Sequence, residues 1–89
     1  MPLRIPPAAF SRLVEGYIVY WVDGGRHYLA YVESGLHVIE ASSLEELERI
    51  LSGIDFIEAE GLCVFRGDDA ECIKAGFRGS EVAELIKGP

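Results

Sequence analysis

Tyr17-Ile18-Val19-Tyr20-Trp21-Val22-Asp23-Gly24-Gly25-Arg26-His27-Tyr28-Leu29-Ala30-Tyr31-Val32 is the stretch that decides the fold. Its first six residues are β-branched or aromatic, the types a pleated strand accommodates best. Asp23-Gly24-Gly25 supplies the positive φ of a tight hairpin turn, and His27–Val32 returns as a second strand. A Gly24-Gly25 loop sets Asp23 opposite Arg26, Val22 opposite His27 and Trp21 opposite Tyr28. An Asp23–Arg26 ion pair would then brace the turn, for at most about 1 kcal/mol. A loop at Asp23-Gly24 would shift that register.

Working outward, Ser34-Gly35 makes a second turn and Leu36–Ala41 a third strand. Ser43-Leu44-Glu45-Glu46 fits a capping box, opening a helix that carries Leu44, Leu47, Ile50 and Leu51 on one stripe. Gly53 stands where a left-handed glycine closes such a helix. Upstream, residues 1–6 read as an N-terminal arm, and Pro7 suits the first turn of a short helix over Ala8–Glu15 closed by Gly16. Phe10, Leu13 and Val14 form the apolar stripe expected of it.

The second half reads as a worn copy of the first. A shift of 35 residues lays Val19–Gly53 over Ile54–Gly88 without a gap, pairing Val38 with Ile73 and Leu47, Ile50 and Leu51 with Val82, Leu85 and Ile86. Only Glu46/Glu81 and Gly53/Gly88 are identical, so the correspondence is one of pattern; any two such stretches of three strands and a helix would align in this way. The repeat favours strands at Leu62–Arg66 and Ala70–Ala75 joined by Gly67-Asp68-Asp69, although Asp69–Phe77 also reads as a helix capped by Asp68. Ser80 is the expected cap of the last helix, which Gly88-Pro89 ends. The fold expected is a single α+β domain over residues 1–89. A mainly antiparallel sheet of five or six strands carries two or three helices on one face, with residues 17–53 and 54–88 as halves of a β-β-β-α duplication.

Composition narrows the function. With 89 residues the chain holds one core, and an apolar content of 49% is high for a soluble domain. No apolar run approaches the ~18 residues of a membrane span and no signal-peptide pattern opens the chain, which points to the cytoplasm. A net charge of −7, with six scattered arginines, argues against nucleic acid and anionic membranes. Asn, Gln and Thr are absent. Depletion of Asn and Gln is a mark of heat-adapted proteins, although lysine, usually enriched in them, is limited to Lys74 and Lys87.

Residues able to carry chemistry are few. Cys63 and Cys72 lack the partners of a zinc site, and in the expected hairpin they lie on neighbouring strands, as a disulfide or as two buried thiols. His27 and His37, with Glu33 or Glu40, have the chemistry of an acid–base pair, but strand histidines are ordinarily just hydrogen-bonded. Gly24-Gly25 joins two strands, unlike a phosphate loop, and Gly67-Asp68-Asp69 is ordinary turn chemistry. No catalytic residue, cofactor or metal is therefore assigned.

The aromatic cluster of Tyr17, Tyr20, Trp21, Tyr28 and Tyr31 stands out instead. Successive strand residues alternate sides, so both faces of the hairpin are apolar, and one is left in water unless the N-terminal segment covers it. Tyr and Trp are common interface anchors, and a small domain buries only about 60–65% of its unfolded surface. The reading is a non-enzymatic interaction module that self-associates as a homodimer through this hairpin and also meets another protein. The alternative is a small-molecule binder or enzyme, with His37, Glu40, Tyr28 and Cys72 lining a pocket between sheet and helices.

Overall fold

The computed structural model describes residues 4–67, 69–74 and 76–88. The aromatic hairpin forms its centre: β1 (Tyr17–Asp23) and β2 (Arg26–Val32) pair antiparallel with Asp23 opposite Arg26 and Trp21 opposite Tyr28. Gly24 and Gly25, at φ 59° and 77°, form the two-residue loop whose twist matches the strands. β3 (Leu36–Ala41) pairs antiparallel with β2. On the other side of β1 lies β4 (Gly61–Arg66), parallel to it, and beyond that β5 (Asp69–Ile73), antiparallel to β4. The five-stranded mixed sheet runs β3-β2-β1-β4-β5. Residues 69–73 are thus strand rather than helix; Asp68, Ala75 and residues 1–3 of the arm lie outside the described residues.

Helices occupy both faces, a correction to the expected one-sided stack. Helices α2 (Leu44–Leu51) and α3 (Gly79–Lys87) pack with Ile18, Tyr20, Leu29, Leu62 and Val64, while α1 (Pro7–Val14) packs on the opposite side with Tyr17, Val19, Trp21, Ala30 and Cys63. Alternation along β1 feeds both layers, which is why that strand has no polar residue before Asp23. The stripe of α1 is also corrected. Ala9 and Leu13 are buried, whereas Phe10 and Val14 are exposed, because small Ala9 lets the helix lie close above Val19 and Ala30.

The local signals hold with three amendments. Ser43 caps α2 by accepting the Glu46 N–H (3.1 Å), but the Glu46 carboxylate takes the Ser42 hydroxyl (2.9 Å) instead of completing the box. Gly53 is not left-handed; the chain leaves α2 through a tightened turn in which the Gly53 N–H reaches the Ile50 carbonyl. α3 begins at Gly79 with Arg78 as its flanking residue, so Ser80 lies inside the first turn. The Glu81 carboxylate accepts the Arg78 N–H at 3.0 Å. Gly79 is required there: a Cβ would strike the Leu51 carbonyl, where the start of α3 abuts the end of α2.

The 35-residue correspondence survives only in part. β4 falls on β2 and α3 on α2, but Ile54–Ile57, the counterpart of β1, is no strand; Ile57 alone bridges to Phe77. The order of elements common to both halves is β-β-α, and the two units flank the single strand β1. Since β2 is antiparallel and β4 parallel to β1, an approximate two-fold axis normal to the sheet relates them.

Candidate functional site

The five aromatic residues of the hairpin separate by layer. Tyr17, Tyr20 and Trp21 are buried within the monomer, and the N-terminal helix provides the cover over Tyr17 and Trp21. Tyr28 and Tyr31 remain half-exposed. Trp21 stacks on Tyr28 across the ladder (centroids 5.3 Å apart), and Tyr31 stacks on His37 (5.0 Å). The Arg12 guanidinium lies 5.8 Å above the Tyr17 ring, so the back of the hairpin is sealed by helix and cation together.

The polar groups of the hairpin are fastened to one another. Arg26 pairs with Glu40 at 3.1 Å, diagonally across β2 and β3, in place of the expected Asp23. A hydrogen bond from the Tyr28 hydroxyl, followed by Arg26, holds the Glu40 carboxyl below its usual range; the same bond to Glu40 is the main reason the Tyr28 phenol is raised. The Tyr20 hydroxyl and His27 Nδ1 lie 2.7 Å apart, and burial raises the Tyr20 phenol. That pair was readable in principle, because Val22 opposite His27 makes Tyr20 its diagonal neighbour.

The candidates for a pocket do not converge. His37 bonds the Glu33 carbonyl at 2.8 Å and lies on the face of α2 and α3, whereas Glu40, three residues on, points to the face of α1. Cys72 is bonded to Cys63 directly across β4 and β5, with their Cα atoms 4.1 Å apart. Neither described cavity includes any of these groups. One, of about 520 Å³, lies between β4–β5 and the end of α3, with Arg66, Glu71, Glu84 and Lys87 in its walls. The other, of about 430 Å³, lies at the start of α1 between Arg4, Trp21, Asp23 and Phe65. Among the described residues, no three His, Cys, Asp or Glu side chains cluster as metal ligands.

What the monomer leaves open is an apolar surface on the α1 side. Ala8 lines the cavity beside Phe65 of β4, which fixes that flank of α1 toward β4. Helical spacing then turns Phe10 and Val14 toward β2 and β3. There Phe10 is 53% exposed, Val14 69%, Val32 51% and Leu36 54%, with Tyr28 and Val38 half-buried between. Val32 and Leu36 are directly paired across the ladder on that side. The aromatic run pointed to the hairpin; exposed Phe10 and Val14 were missed because their spacing also fits a buried stripe. No family model, no curated protein and no solved structure matches this chain.

Proposed function

We propose that this chain is a non-enzymatic protein–protein interaction module that self-associates through the outer half of its aromatic hairpin, where β2 and β3 emerge from beneath α1. The observation that carries the reading is the exposed run Phe10, Val14, Val32 and Leu36 on one side of the molecule. Isolated exposed apolar residues are ordinary, but several gathered on one side point to an interaction surface. Tyr17 and Trp21 form the floor beneath α1 and Tyr28 reaches the surface, whereas Tyr20 and Tyr31 face α2 and α3. A ligand pocket has less support, since His37, Glu40 and Cys72 are turned apart or covalently paired.

Light scattering over a range of protein concentrations tests the reading. The mass is expected to rise from 9.8 kDa toward twice that value, and Leu36→Lys is expected to hold the chain at the monomer mass. A wild-type mass fixed at 9.8 kDa at every concentration overturns it.

The compartment proposed is the cytoplasm of a heat-adapted source. No helix among the described residues is long and apolar enough to cross a membrane. The absence of Asn and Gln and the Cys63–Cys72 bond together fit the disulfide-bearing intracellular proteins of hyperthermophiles. A melting midpoint above about 65 °C is expected; one in the mesophile range removes the assignment.

A further inference from the structure

The sheet has two open edges, β3 and β5, and they are not equivalent. In an antiparallel ladder alternate residues form the bonded pairs. The two-residue loop makes Asp23 and Arg26 such a pair, so the even-numbered residues of β2 bond to β1 and the odd-numbered ones to β3. The bond from the Glu33 N–H to the Gly35 carbonyl, 2.9 Å, continues that second ladder two residues beyond Tyr31–His37. His37, Ile39 and Ala41 are therefore bonded to β2. Leu36, Val38 and Glu40 direct N–H and C=O away from the sheet, with no strand beside them among the described residues.

We propose that this edge pairs antiparallel with β3 of a second copy, about a two-fold axis at Val38. The inference rests on the self-association proposed above and names its contact. The three outward residues are symmetric about Val38. A two-fold axis there sets Val38 against Val38 and Leu36 against Glu40 of the second copy, matching each outward donor with an outward acceptor. It also keeps like faces on the same side, so the two apolar surfaces merge into one and Leu36 and Val38 lose water at the seam.

β3 carries none of the usual edge protections. It has no proline, no lysine and no bulge, and its one carboxylate, Glu40, is already tied to Arg26 at 3.1 Å. β5 shows the contrast. It is shorter and carries Asp69 and Glu71, so a two-fold at Glu71 opposes two carboxylates directly, and one at Ala70 opposes Asp69 with Glu71. Repulsion disfavours those registers at that edge, whereas pairing of β3 about Val38 opposes no like charges.

Amide hydrogen exchange of the full chain at low and high concentration, read beside the scattering mass, tests this. The amides of Leu36, Val38 and Glu40 are expected to become protected as the mass doubles, while those of His37, Ile39 and Ala41 are protected throughout. Val38→Pro removes an outward N–H and no bond within the monomer, so it is expected to remain monomeric where wild type and Val38→Ala are dimeric. A wild-type dimer whose Leu36, Val38 and Glu40 amides still exchange fast overturns edge pairing and leaves self-association standing. A wild-type monomer at all concentrations overturns both. If Val38→Pro does not fold, the wild-type exchange pattern alone decides.

Discussion

The two β-β-α units on either side of β1 follow one plan and are held together by different means. In each, a strand beside β1 turns back to form the sheet edge and leads to a helix on the same face. Leu47 and Leu51 of α2 correspond to Val82 and Ile86 of α3, and all four are buried where the two helices meet over the sheet. The first unit relies on side chains suited to a strand: six continuous pairs between β2 and β3, with Val, Ile, Leu and Tyr among them. The second has a poor edge strand, Asp69-Ala70-Glu71-Cys72-Ile73, exposed along its length. It is clamped instead by the Cys63–Cys72 bond, and by the Arg66 guanidinium donating to the Ile86 carbonyl at 2.9 Å. Where strand propensity is weak, a covalent link and a charged hydrogen bond supply the constraint.

Four measurements break or sharpen this comparison. The largest effect is expected from Leu51→Ala and Ile86→Ala, each costing about 2–5 kcal/mol through a cavity at the helix junction. Similar losses in denaturant unfolding support the two-fold correspondence, and a large disparity breaks it. Removing the disulfide as Cys63→Ala with Cys72→Ala is expected to cost about 2–3 kcal/mol, because a short loop is released in the unfolded chain. Exchange protection should fall in β4 and β5 and stay unchanged in β2 and β3; a uniform loss would show that the bond supports both units. Ser43→Ala leaves the Glu46 N–H without its acceptor and is expected to cost about 1 kcal/mol, measurable as a lowered melting midpoint. Ser80→Ala, off the cap of α3, should cost much less.

The smallest effect is expected from pH. The folded Glu40 carboxyl titrates below its ordinary value of 4.5, so its stabilising contribution is present above that value and is lost as pH falls through the folded one. Amide shifts in β3 should move with this titration, and Glu40→Gln should abolish the movement. Movement that persists in the variant would assign it to another carboxyl group.

Much of this architecture was legible because it is governed by near neighbours. Gly24-Gly25 pointed to the β1–β2 hairpin with two possible registers, and the positive φ of both glycines marks the one adopted. Ser43 marked the start of α2, because a hydroxyl there meets an N–H that the helix cannot satisfy. Ile54-Asp55-Phe56-Ile57 misled for the same reason: its spacing matches a strand, yet Phe56 is exposed while Ile57 is buried and bridges Phe77. Nothing local distinguishes a strand from a loop that contributes one side chain to a core.

The candidate site was half legible. The chemistry of Tyr28 and its neighbours identified the hairpin, but which aromatics stay accessible depended on where α1 lands. An apolar stripe shows that a helix must be covered and does not say by which face of which sheet. Burial of Trp21 and exposure of Phe10 follow from that one placement.

By itself, then, the order of residues determined the turns, the alternation along β1 and the start of α2, because each is settled within a few residues by φ preference, side-chain parity or an unsatisfied N–H. Tertiary structure alone decided that β4 lies parallel beside β1, that α1 closes the opposite face and that β3 is an open edge. Those outcomes depend on how distant apolar surfaces compete for the same cover, and no local preference records the result.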